Sequence, residues 1–209
     1  MRFAIALVSV LFASCASYGL DPSPRRLRGG EDWGGSASIG INRSSFESGD
    51  LMGFRVEGSY GSREWEVQPE LGIAYNKDTA TNIDIDLADR ARSELSFLDI
   101  SVGAGTSFAP KGSNLVLRAG GGVIVRAVDF ELSGSGQTRS DDDIALGVYV
   151  HGGPAIRVAE SVEVGLDLRA IFADKVGTVV DFKPVGGNRV VSRADGSSFE
   201  TALTVRILF

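Results

Sequence analysis

The stretch Phe199-Glu200-Thr201-Ala202-Leu203-Thr204-Val205-Arg206-Ile207-Leu208-Phe209 alternates residue by residue. In an extended chain successive side chains point to opposite faces. Phe199, Thr201, Leu203, Val205, Ile207 and Phe209 therefore share one face, free of charge, while Glu200 and Arg206 fall on the other. No apolar stripe of helical period fits this segment, and none fits any other window beyond residue 32.

Working back from this end, the same pattern recurs in seven earlier segments: 33–41, 52–60, 65–75, 98–108, 115–127, 144–158 and 162–172. Each accepts a register with no Asp, Glu, Lys or Arg on one face. The complementary positions carry Arg55, Glu57, Glu66, Glu70, Asp99, Arg118, Arg126, Arg157, Glu163, Asp167, Arg169, Glu200 and Arg206. Glycine and small polar residues fill much of the rest, as at Gly103, Gly105, Gly120 and Gly122. The fold expected is all-β: an eight-stranded antiparallel up-and-down barrel.

A soluble barrel or sandwich also alternates, with its apolar set inside. Three features predict the inverted arrangement, apolar side chains outward into lipid. Trp33, Tyr60, Trp65, Phe108 and Phe209 gather at one set of strand ends and Tyr75, Phe172 and Phe199 at the other, as aromatic girdles do. Short connections at 61–64, 109–114 and 159–161 alternate with long ones around 43–50, 77–94, 131–143 and 173–198. Short periplasmic turns, long external loops and an even strand number describe a membrane barrel. All four lysines, Lys77, Lys111, Lys175 and Lys183, fall in these connections, and the walls carry only arginine, the cation suited to fixed ion pairs.

Composition bounds the function. The chain has 209 residues, 21 Lys and Arg against 27 Asp and Glu, and a net charge of −6. An acidic balance argues against nucleic-acid binding, which needs clustered cations. One cysteine and one histidine leave no disulfide framework and no cysteine-rich zinc site. No cofactor is expected. The longest apolar run, Phe3 to Ala13, is too short for a spanning helix of ~20 residues. With Met1-Arg2 before it and small residues after it, residues 1–16 read as a secretory signal peptide. Cleavage after Ala16 competes with acylation at Cys15, because Leu11-Phe12-Ala13-Ser14-Cys15 resembles a bacterial lipobox. Residues 17–32, rich in Pro, Gly and Arg, read as a flexible periplasmic tether, leaving 33–209 for the barrel.

With its terminal aromatic, the ending Leu203-x-Val205-x-Ile207-x-Phe209 is similar to the assembly signal of bacterial outer-membrane barrels. Residues 33–209 as a whole resemble the small eight-stranded barrels of the OmpA membrane-domain, OmpX and opacity-protein type. The resemblance implies a location in the outer membrane and contact with its lipid and lipopolysaccharide. It also implies recognition by the barrel-assembly machinery. The chain stops at Phe209, so no peptidoglycan-binding domain is expected.

Eight strands leave an interior that side chains fill. The seven acids and six arginines of the inward set are expected to pair there, since an unpaired buried charge is costly. The role expected is non-enzymatic: membrane integrity, and surface interaction with an extracellular partner through the loops. The fourth loop, with Phe182, Pro184, Val190 and Val191, is expected to contact a partner or fold as a hairpin. A small-solute or ion channel is the first alternative, and a lipid-modifying enzyme using His151 with an acid across the barrel the second. Asp84, Asp86, Asp89 and Asp141–Asp143 are read as solvated loop charges, with calcium bridging to lipopolysaccharide as the alternative. Pro69 and Pro154 are expected at a rim or a bulge, because proline cannot donate to a ladder.

Overall fold

Alternation makes a sheet apolar on one side over its whole width, and closing that sheet removes both of its edges. The computed structural model describes residues 33–46, 49–62, 65–86, 89–134, 137–174, 179–180, 190–191 and 196–209. The signal segment 1–16, with Cys15, and the tether 17–32 lie outside them. Among the described residues every regular element is a strand. In chain order these are β1 (Trp33–Phe46), β2 (Gly49–Ser62), β3 (Gln68–Asp86), β4 (Asp89–Phe108), β5 (Leu115–Gly134), β6 (Gln137–Ala159), β7 (Val162–Ala173), β8 (Val179–Val180), β9 (Val190–Val191) and β10 (Ser198–Leu208). Eight of them close an antiparallel barrel, β1-β10-β7-β6-β5-β4-β3-β2. The remaining pair, β8 and β9, forms a short antiparallel hairpin within the fourth connection, joining Val190 and Val191 to Val179 and Val180.

The faces are inverted relative to a soluble barrel. Leu71 is 64% exposed and Ile144 68%, whereas Arg126 and Glu200 are 0% exposed. In water each large aliphatic side chain left out would forgo ~1.5–3 kcal/mol of burial. A continuous apolar belt around a barrel is a lipid-facing surface.

Its height fits the hydrocarbon layer. The stretch from Phe199 to Phe209 is ~33 Å along the strand, which at a tilt of ~40° spans ~25 Å. Trp33 stacks on Tyr60 at 5.9 Å and meets Trp65 edge-on at 5.7 Å. Phe209 closes the barrel there by pairing through its backbone with Gly35. Phe54 and Tyr75 meet at 6.1 Å nearer the opposite end, where Phe172 and Phe199 are exposed.

Three of the connections read as long are mostly strand. β3 and β4 stay paired out to Asp86 and Asp89, β5 and β6 to Gly134 and Gln137, and β1 and β2 to Phe46 and Gly49. The polar composition of these segments had concealed their pairing, because a strand beyond the lipid needs no apolar face. Lys77 accordingly lies within β3 and not in a connection; its Nζ is 2.5 Å from Glu94 Oε1, beyond Tyr75. At the other end the β2–β3 turn is longer than expected, with Trp65 and Val67 in it and β3 starting at Gln68. Phe108 closes β4, and the β4–β5 turn uses Gly112 at φ 79°, a left-handed conformation open to glycine.

Each proline is paired on one side only, Pro69 with Ala104 of β4 and Pro154 with Leu117 of β5. Pro69 lies beyond the last β2–β3 pair, Ser59 with Glu70, so it faces β2 at the rim. Pro154 stands within the wall, where pairing to β7 skips from Gly152 to Ala155. The bulge in β6 falls later, between Arg157 and Ala159. An interruption of the ladder, and not a bulge, accommodates Pro154.

Candidate functional site

The inward positions build two groups of paired charge along the lumen. Nearest the hairpin end, Arg126 Nε and Nη2 each donate to an Asp99 carboxylate oxygen at 2.7 Å. Its Nη1 donates to the Gly196 carbonyl at 2.8 Å and to Ser198 Oγ at 3.1 Å. Glu200 completes the group, accepting from Ser44 Oγ at 2.9 Å and lying 3.5 Å from both Arg126 and Arg55. The bidentate arrangement follows from the ladder, since Asp99 and Arg126 are direct partners between β4 and β5.

In the middle layer Arg55 bonds Asp167, and Arg169 bonds Glu57. His151 bridges the lumen, with Nδ1 3.0 Å from Asp167 Oδ1 and Nε2 3.0 Å from Glu70 Oε2. Glycines on facing strands clear this space. A Cβ on Gly120 would collide with His151 Nε2, and one on Gly105 with the Glu70 carboxylate. Toward the turn end Arg118 and Arg157 converge on Glu163, the Arg157 contact being 2.7 Å.

Two residues of the inward set stand apart. Glu66 is exposed in the β2–β3 turn, because β3 begins only at Gln68. Arg206 faces inward, yet it has no carboxylate within 4.0 Å among the described residues.

The lumen also has an apolar part, which strict alternation does not mark. Leu51, Phe97, Val128 and Ala145 form a buried inward cluster, and Ile124, Tyr149 and Ile171 another. Arg126 lies over the Phe97 ring at 5.0 Å and Arg169 over Tyr149 at 4.4 Å, joining the apolar clusters to the charged network. The signal was present in Leu95-Ser96-Phe97-Leu98 and Ala127-Val128, where both parities are apolar.

The aspartates read as loop charges lie on strands. Asp141, Asp142 and Asp143 belong to β6, so their side chains alternate between faces. Asp84, Asp86 and Asp89 belong to β3 and β4. Among the described residues no group of three metal-ligating side chains converges.

Neither a protein-family model nor a curated protein sequence matches the chain. Solved structures do. The outer membrane protein OprG from Pseudomonas aeruginosa superposes with a TM-score of 0.64 at 10% identity, over 88% of this chain and 99% of that one. The chain has the fold of the small outer-membrane β-barrels. Ail, the attachment invasion locus protein of Yersinia pestis, solved in complex with the heparin analogue sucrose octasulfate, gives 0.54 at 11% identity. That match covers 86% of this chain and all of Ail. At such identities the likeness is one of fold, carried by strand number, closure and alternation.

Proposed function

We propose that the protein is a non-enzymatic scaffold of the outer membrane, supporting envelope integrity and presenting its hairpin end to the outside. One observation carries this reading: a filled lumen bears hairpins that continue past the lipid belt. From Tyr75 to Asp86, β3 runs on for ~35 Å at ~3.3 Å per residue. β4 pairs with it over that length, with register shifts at Thr81/Ile83 and Asp84/Asp86 that blunt the edge. A rigid barrel carrying projecting loops is the usual way such folds separate anchoring from recognition.

The filled lumen argues against a channel. Arg126, Asp99 and Glu200 block it with paired charge, and Phe97, Val128 and Leu51 with apolar bulk. The placement of His151 argues against lipid modification: both ring nitrogens are occupied by carboxylates, and the side chain faces the lumen, away from lipid. The partners expected are membrane lipid and lipopolysaccharide around the belt, the assembly machinery at the C-terminal strand, and an extracellular ligand at the hairpins.

The test is a deletion strain complemented with two forms of the gene. The full-length form and one with the β3–β4 hairpin cut back to Lys77 and Ser96 should both restore detergent resistance, and only the full-length form surface adhesion. Adhesion undiminished by the truncation would contradict the proposal.

A further inference from the structure

The turn end of the lumen holds a cavity of about 100 Å³, bordered by Arg118, Arg157, Arg206, Glu66, Glu70 and Glu163. That is several times the ~10–15 Å³ one water needs. Among the described residues the other five lumen arginines each have a carboxylate within 4.0 Å; Arg206 has none. Its Nε is buried and has no hydrogen-bond partner.

Three acids, Glu66, Glu70 and Glu163, share this lining with the three arginines. Arg118 and Arg157 share the single carboxylate of Glu163, Glu70 is engaged by His151, and Glu66 stands exposed at the mouth. None of these acids reaches Arg206, which is the one guanidinium of the three without a carboxylate partner among the described residues. A desolvated guanidinium without an acceptor is costly, and its planar fork matches an oxyanion better than a single water. Hydroxyl and amide groups are at hand: Ser36 Oγ and Ser59 Oγ lie 2.9 Å apart, and Ser59 reaches Gln68 at 3.4 Å.

We propose that this cavity binds a small free oxyanion of the phosphate or sulfate class, with Arg206 as principal ligand and Arg118 and Arg157 beside it. The strand wall separates the cavity from the lipid belt, so the anion comes from the aqueous compartment at the turn end and not from a lipid headgroup.

The test uses nitrogen-15-labelled protein folded in maltoside micelles, in phosphate-free buffer, titrated with inorganic phosphate. Saturable movement of the Arg206 Nε–H resonance is expected. Arg206→Gln should weaken binding at least tenfold while the protein keeps its folded gel mobility; Arg43→Gln, at the exposed hairpin end, should leave it unchanged. If Arg206→Gln does not fold, Arg157→Gln serves, with weakened binding expected again. Absence of a saturable shift in the wild type would overturn the proposal, as would equal affinity in the folded Arg206 variant or equal weakening by Arg43→Gln. Dihexanoyl phosphatidate distinguishes the source: weaker binding than phosphate supports a free anion, and tighter binding overturns it.

Discussion

At the scale of single residues the lumen charges are not equivalent. Arg126 is fully buried and serves Asp99, Gly196, Ser198 and Glu200 together. Arg157 shares Glu163 with Arg118. Removing one member of a buried ion pair costs ~3–5 kcal/mol, because the other is left unpaired. Arg126→Met is therefore expected to cost that much in urea unfolding followed by tryptophan fluorescence. Arg157→Gln leaves Glu163 with a partner and should cost about 1 kcal/mol, the scale of one net hydrogen bond. Equal losses for the two would show that the network is not organised as described. Gly120→Ala brings a methyl against His151 Nε2, and overpacking of that kind costs ~1–3 kcal/mol. Alternation marked the inward parity of these Arg and acid residues, except at Glu66, which lies in the β2–β3 turn. Their pairing was not legible, because it depends on stagger between strands far apart in sequence, such as β2 and β7 for Arg55 and Asp167.

At the scale of elements, the outward face of every barrel strand was readable, since Ile39, Phe54, Leu71, Ile100, Val125, Leu146, Leu166 and Leu203 obey one rule of parity. Strand ends beyond the lipid were not readable, because water on both sides removes the pattern that marks a strand. Residues 77–94 show this: their charges suggest a loop, yet backbone pairing carries most of them as a hairpin. The same distinction gives a depth-dependent prediction. Leu146→Arg, on the belt, should destabilise the barrel by ~2–4 kcal/mol, while arginine at an interface costs ~0–1 kcal/mol. Denaturant midpoints of Leu146→Arg and Met52→Arg, the latter opposite Lys77, would measure the difference. Phe97→Ala should cost ~3–5 kcal/mol through the cavity left in the inner apolar cluster.

At the scale of the whole molecule, an ordinary composition conceals a membrane protein. With 43% hydrophobic residues and a mean hydropathy of +0.07, the chain reads as soluble until parity is considered. Alternation separates apolar from charged residues without producing a long run of either. The folded barrel should consequently migrate differently on detergent gels before and after boiling, and unchanged mobility would contradict a closed barrel. The central claim is that this barrel is a filled scaffold and not a conduit. Single-channel recording in planar bilayers tests it most directly. No reproducible openings are expected for the folded wild-type protein, and discrete, repeatable conductance steps would contradict the account.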